Sequence, residues 1–373
     1  MNDNIGWALS NSNSTKLQAN ARGLRFFCYF CGFKTRADER SYACMDCPVQ
    51  PSLSKTWILI EIVRYSPDMR ADWDELVAGA RNGNMLHLRG FMDYHSDRFD
   101  DHSLVAMRDG AMLAVLPANR DGDTLWSHQG LTYGSWIMPS KHIDPSVMLD
   151  VMQATVDTLQ QQGFKRLVYK PVPHIYHRYP AEDDLYAMWR MGGKLLECGI
   201  SSTIDLANRL PLDRGCRSAA NAAKRGGVEV ARSQDWEGYW QVLSQVLADR
   251  HDTRPVHTID EIRLLVKRFP DRIRLFTATA GQELVAGVVM FELGPVAHAQ
   301  YIAASPRGRE LKALTLLFDF LINHYAQREF CYFDFGISTE QHGTILNRGL
   351  VQQKCRLGGR GILYPIYELK IES

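Results

Sequence analysis

The chain has 373 residues, is 45% hydrophobic and 23% charged, and carries a net charge of +1. Such a composition fits a globular protein of two to three domains with ample apolar material for its cores. It excludes a global field that would draw the whole molecule onto nucleic acid or membrane, and no apolar run approaches the ~20 residues that a membrane span requires.

Residues 1–20 read as a polar tail without the basic-then-apolar order of a secretory signal, so a cytoplasmic location is expected. Residues 21–52 hold four of the eight cysteines in the spacing Cys28-x2-Cys31-x12-Cys44-x2-Cys47. Two CxxC knuckles so separated can close a tetrahedral site, and four thiolates favour a structural Zn²⁺ with no open position. The segment is too short to fold on its own core, so the metal would supply its folding energy. Two disulfides, a redox CxxC pair or an iron–sulfur cluster are the alternatives. Phe26, Phe27, Tyr29, Phe30 and Phe33 would pack this ribbon or present a sticky face to a partner or RNA. Cys198, Cys216, Cys331 and Cys355 are scattered and read as small buried hydrophobes of a reducing compartment. Prolines and serines in residues 48–55 mark a linker.

Two stretches of one design follow. The first, residues 56–206, opens with a helical pattern at Asp72–Ala80 and a strand-like Met85–Arg89. An apolar hairpin turns at Asp109-Gly110. Trp126–Ile137 then reads as a strand of unusual polarity, carrying His128, Gln129, Thr132 and Tyr133. A helix over Pro145–Gln162 and a strand over Phe164–Lys170 complete the unit. The second stretch, residues 207–373, has helices at Asp235–Arg250 and Ile259–Phe269 and a hairpin at Arg272–Met290. It continues with a strand at Ala297–Ala304 bearing His298 and Gln300, a helix at Glu310–Gln327 and a strand at Phe330–Gly336. The order strand–turn–strand–strand–helix–strand therefore occurs twice, and predicts a mixed α/β fold with two similar units.

That order, with the stretches HLRGFMDYH (87–95), SHQGLTYGS (127–135), YKPVPHIYHRYPAEDDLY (169–186), RSAANAAKRGGVEV (217–230), AHAQYI (297–302), YFDFGISTE (332–340) and LVQQKCRLGGRG (350–361), resembles the FemAB-like branch of the GNAT superfamily. The resemblance spans roughly residues 60–372 and excludes the cysteine module. It implies two tandem GNAT-like domains, in which two parallel strands splay apart and leave main-chain groups free to grip an acyl donor. It also implies acyl transfer to an amine of a small molecule or peptide. Fem-type members take an aminoacyl group from charged tRNA, and ordinary GNAT members use acyl-CoA. A CoA user shows [RQ]xxGx[GA] ahead of the helix that follows the cleft strand. Here Ser305–Ala313 keeps Gly308, but Lys312 stands where a glycine is expected in the arginine-led register, which favours aminoacyl-tRNA. A CoA-dependent N-acyltransferase and a non-catalytic protein that docks through its ribbon remain the alternatives.

Lys354 matches the family's lysine in its C-terminal strand-and-loop, where the resemblance implies a cation for an oxyanion or a leaving hydroxyl. Asp334 alternates with Phe333 and Phe335, so it faces away from their rings and can steer the attacking amine, accept a proton or orient Lys354. Ser338 and Glu340 follow as hydroxyl and carboxylate for an acceptor. His298 and Gln300 share one strand face, while His128 and Gln129 point oppositely. Tyr133 lies on that same polar strand as a further binding candidate, and Lys170, His174 and His177 end and follow the first unit's last strand, with Pro171 and Pro173 making that loop rigid. Arg250 and His257 lie just past a helix end, where cations suit the dipole or bind an anion. Arg214, Arg217, Lys224, Arg225 and Arg232 are the first candidates for tRNA phosphates.

Overall fold

The structure, a computed structural model, describes residues 60–251 and 253–371, without the side chains of Arg250 and His251. The tail, the module with Cys28, Cys31, Cys44 and Cys47, and the linker lie outside the described residues. Trp57–Ser373 forms one compact unit.

The chain enters on β1 (Ile60–Arg64), α1 (Arg70–Gly79) and the short α2 (Arg89–Met92). Then come β2 (Asp100–Asp101), the hairpin β3 (Leu104–Arg108) and β4 (Ala111–Leu116), β5 (Asn119–Asp121) and β6 (Thr124–Trp126). Helix α3 (Pro145–Gln161) starts where Asp144 accepts from the Ser146 and Val147 amides, and buries Met148, Val151, Met152, Thr155 and Leu159 at three-and-four spacing. β7 (Arg166–Tyr169), α4 (Asp183–Arg190) and the long β8 (Lys194–Asp205) lead into the second half.

There α5 (Arg214–Arg225), β9 (Val228–Ser233), α6 (Trp236–His251) and α7 (Ile259–Arg268) precede β10 (Ile273–Ala280), β11 (Glu283–Leu293) and β12 (Val296–Ala304). A short α8 (Pro306–Glu310) and α9 (Ala313–Ala326) return the chain to β13 (Tyr332–Ile337). A small hairpin, β14 (Thr339–Glu340) with β15 (Ile345–Leu346), precedes α10 (Arg348–Arg356) and β16 (Arg360–Lys370).

Eleven strands form one sheet in the order β2-β5-β6-β7-β16-β8-β13-β12-β11-β10-β9, and β1-β3-β4 form a second. Two neighbour pairs of the large sheet are parallel, β6 with β7 and β12 with β13. Each is the pair bridged by the helix of its repeat, α3 or α8–α9. The mixed α/β expectation is met, and each half runs from a hairpin to a helix-bridged parallel pair, the first with an extra strand, β5, before β6. One difference is that β3 and β4 leave the large sheet, whereas β10 and β11 stay in it.

Four local expectations are corrected. Met85–His87 is a 3-10 turn followed by α2, because Asn84 accepts from the Leu86 amide while the His87 ring accepts from the Asn84 amide. The strand at Trp126–Ile137 stops at Trp126, since His128 takes a left-handed φ of 63° and the chain turns. The helix predicted from Glu310 starts at Ala313, because Lys312 also takes a left-handed φ, of 58°. Of the scattered cysteines only Cys216 is buried; Cys331 is exposed and the other two are half-buried. The central strands β8 and β16 carried no clear sequence signal. Pro365 sits inside β16, tolerated because β16 pairs there with β8 alone and reaches β7 only at Tyr367–Lys370. Among the described residues, no helix is long and apolar enough to cross a membrane.

Candidate active site

β12 and β13 pair in parallel only from Val296–Tyr332 to His298–Asp334, and then part. Two backbone features separate them. Gln300 is the extra residue of a bulge, because Met290 pairs with Ala299 while Val289 pairs with Tyr301. On the other side Gly336 takes a left-handed φ of 77°, a turn that a side chain disfavours, and β13 bends there. The gap opens into a cavity of about 540 Å³ lined by Ala299, Gln300 and Ile302 on one side and Phe335, Gly336 and Lys354 on the other. The main chain of β12 beyond His298 has no β13 partner.

Asp334 sits at the fork and is fully buried. Its Oδ1 accepts from the Ser201 hydroxyl and from Thr203 Oγ1 at 2.7 Å, fixing β13 to β8. Its Oδ2 accepts from His298 Nδ1 (2.8 Å), Tyr364 Oη (2.9 Å) and Tyr176 Oη (3.0 Å). Burial pushes the carboxyl up, but these hydrogen bonds and the His298 ring outweigh it and hold the pKa at about 2. An anionic Asp334 that accepts from Nδ1 orients the His298 ring, and whenever that ring is neutral its Nε2 carries the lone pair. His298 is 9% exposed and lines the cavity. The dyad has the base-plus-orienter logic of an activated imidazole.

Lys354 is 5% exposed and lies on α10, not on a C-terminal strand or loop as expected. Its ammonium donates to the Gly336 carbonyl (2.7 Å), the Ile337 carbonyl (3.0 Å) and Ser338 Oγ (2.8 Å). Two of these acceptors end β13 where it has left β12, and the third, Ser338, follows directly, so the ammonium sits at the wall of the split. Burial lowers its pKa to about 8, against the raising effect of Asp334.

The structure thus brings together Lys354, Asp334, His298, Gln300 and Ser338. Lys170 and Glu340 line an adjoining chamber of about 280 Å³ with Tyr133, whose hydroxyl accepts from Asn84 (3.1 Å). His257 lies in a third cavity of about 240 Å³, which also meets Gln300. Its ring is bonded to the Tyr94 hydroxyl (2.9 Å) and to that of Tyr301, and burial lowers its pKa to about 4. Gln129 also lines that cavity, tied by Asn119 Nδ2 at 2.7 Å. His128 does not reach the cleft: it is buried, stacked on His95 with ring centroids 5.1 Å apart. The strand's expected polar face is instead Thr132, which lines all three cavities. His177 is absorbed by its own loop, bonded to the Val172 carbonyl (2.9 Å), and His174 is exposed on a short turn. The Arg250 side chain lies outside the described residues.

Sequence reasoning missed Tyr364, Ser201 and Thr203 and gave Tyr176 no role. Tyr176 stood between two histidines that drew the attention, and the other three sit on the two strands that had no signal. Gly308, kept from the phosphate-loop pattern, is explained by packing: a Cβ there would stand 2.0 Å from the Val285 carbonyl oxygen. Lys312 replaces a glycine yet keeps the left-handed backbone, and no side chain caps α9. The matching end of α3 is closed by Asp144. Among the described residues, no group of three or more His, Cys, Asp or Glu could hold a metal ion.

Residues 213–342 match the family model described as an acetyltransferase (GNAT) domain. No curated protein matches the chain. Among solved structures, FemX aligns with a TM-score of 0.58 at 12% identity, over 83% of this chain and 97% of that one. L-PGS from Bacillus licheniformis aligns with a TM-score of 0.54 at 12% identity, over 83% and 94%. A conserved protein of unknown function from Bacteroides thetaiotaomicron aligns with a TM-score of 0.54 at 11% identity, over 84% and 100%. The chain has a GNAT-like fold, and its second half, from α5 to just past β14, carries the acetyltransferase-domain match.

Proposed function

We propose that the protein is a cytoplasmic acyltransferase that forms an amide from an activated acyl ester or thioester and an amine. Aminoacyl-tRNA is the favoured donor, and the acceptor is an amine on a small molecule or peptide. In this reading the halves 56–206 and 207–373 are tandem GNAT-like units and the second holds the chemistry. The observation that carries it is the opening between β12 and β13 beside the Asp334–His298 pair.

The donor's acyl arm lies in the split, hydrogen-bonded to the unpaired main chain of β12. The amine attacks the carbonyl carbon, and His298 Nε2 takes its proton. Charge collects on the carbonyl oxygen as the tetrahedral intermediate forms, and the positive field of Lys354 stabilises it. Collapse breaks the C–O or C–S bond. The proton held on His298 passes to the leaving ribose hydroxyl or thiol, which restores the neutral imidazole.

Outward from the split, Gln353 joins the cleft to a polar cavity of about 490 Å³ lined by Lys312, Thr315 and Arg356 at the uncapped start of α9. Phosphate suits such a helix end. Gly215, Cys216 and Ala219 of α5 form its other wall, and Arg214, Arg217, Lys224 and Arg225 are exposed on the same helix. This basic helix supports the tRNA donor. The left-handed Lys312 supports the second reading, acyl-CoA, because the loop retains the backbone that the missing glycine would have had. The test is transfer to candidate amines from charged tRNA and from acyl-CoAs, each with and without ribonuclease. Activity that needs the thioester and survives ribonuclease rejects the tRNA donor, and no transfer from either donor rejects acyl transfer.

A further inference from the structure

The adjoining chamber has a composition that acyl transfer alone does not explain. It shares Thr132, Ile337 and Tyr364 with the split cavity, so the two communicate past the Tyr364 hydroxyl that bonds Asp334. Lys170 lines it, 7% exposed. The ammonium donates to the Leu131 carbonyl and to no other acceptor among the described residues, which leaves two of its N–H donors unused. Burial lowers its pKa to about 8, partly offset by the charge of Glu197. Yet no carboxylate among the described residues pairs with Lys170 within 4.0 Å. Glu197 pairs instead with His342 (2.9 Å), and Glu340 accepts from Asn347 (2.9 Å), both within the chamber's carboxylate-bearing wall. A buried cation with spare donors is costly unless an anion meets it.

We propose that this chamber is the acceptor site and that it takes a primary amine carrying a carboxylate, of amino-acid size. The carboxylate meets Lys170, and the amine nitrogen points past Tyr364 and Ile337 toward His298. At about 280 Å³ the chamber is at the small end of ligand pockets, which suits a ligand of amino-acid size. The role as acceptor site rests on the acyl-transfer reading, whereas the carboxylate preference rests on Lys170 alone.

The test is calorimetric titration of the full chain, without donor, with the free proteinogenic amino acids and with the carboxamide of each. At least one amino acid is expected to bind, and its carboxamide to bind about 10- to 100-fold more weakly, the range for one charge-assisted hydrogen bond. Lys170→Met should erase that difference. Glu197→Gln, at a chamber position that is 23% exposed, should keep the difference and serves as the folded control. Three results overturn the proposal: no amino acid binding, equal binding of acid and carboxamide, or a discrimination that survives in Lys170→Met. Failure here with donor-dependent transfer intact rejects only the acceptor class. Carboxylate-selective binding with no transfer from any donor rejects only the transfer reading.

Discussion

Replacing Asp334 with Asn tests the site at its most connected atom. The carboxylate accepts five hydrogen bonds, two at Oδ1 and three at Oδ2. An amide offers one oxygen and one NH₂, so either orientation sets a donor against Ser201 and Thr203 or against His298, Tyr364 and Tyr176. Two or three buried groups lose their acceptor at about 1–3 kcal/mol each, so the variant should lose about 2–9 kcal/mol of stability. That is a large fraction of the ~5–15 kcal/mol available to a domain, and the chain should still fold in the cold. Activity should fall further than stability explains. With its Nδ1 proton no longer fixed, His298 ceases to be a defined base, a loss of about 10²–10⁴ in single-turnover rate. Thr203→Val is the comparison: it removes one donor to Oδ1, costs about 1–2 kcal/mol, and should leave the rate within about tenfold. The assay is urea unfolding followed by single-turnover amide formation at a temperature where both variants are folded. Asp334→Asn within threefold of wild type in rate would refute the orienting role, and equal rate losses in the two variants would reduce it to folding.

Further outcomes follow from individual groups. Lys354→Met should lower transfer by about 10²–10³, since the cation at the split is gone, and Lys354→Arg should retain activity to a higher pH, because the lysine pKa near 8 no longer sets an alkaline limit. Asp184, buried against Tyr169 Oη at 2.7 Å, has its pKa raised by desolvation from 3.8 to about 6. The folded state therefore holds the proton more tightly, and stability should decline by up to about 3 kcal/mol as pH rises from roughly 4 to 6, a slope absent in Asp184→Asn. Asp334 has the opposite sign: its contribution is complete above pH 4 and is lost as pH falls toward 2. Purified full-length protein should carry about one zinc per chain by elemental analysis, lost in Cys28→Ser, if the four thiolates form the expected site.

The parts legible in the sequence were those with strong local periodicity. The hairpins, α3, α6, α9, β12 and β13 all carry a clear pattern of apolar spacing, and the GNAT-like resemblance was readable from the order of those elements. Asp334 and His298 could be named because strand alternation separates them from the phenylalanines and alanines beside them. What they do to each other could not be named, since their partners come from β8, β16 and the loop at Tyr176, distant in sequence. His128 misled for a related reason. Its polarity suggested a cleft-facing strand, whereas a single left-handed residue turned the chain and buried the ring on His95. Lys354 was found by resemblance, but its three acceptors depend on a strand that bends at Gly336, a tertiary feature with no local signature.

The most direct measurement is a crystal structure of the full chain soaked with two stable donor mimics, an amide-linked aminoacyl-adenosine and a thioether analogue of acyl-CoA. The account predicts that one of them places its acyl group between Gln300 and Gly336, hydrogen-bonded to the main chain of β12 and within reach of His298 Nε2. Density for either mimic only at another surface, with β12 and β13 closed onto each other, would contradict it.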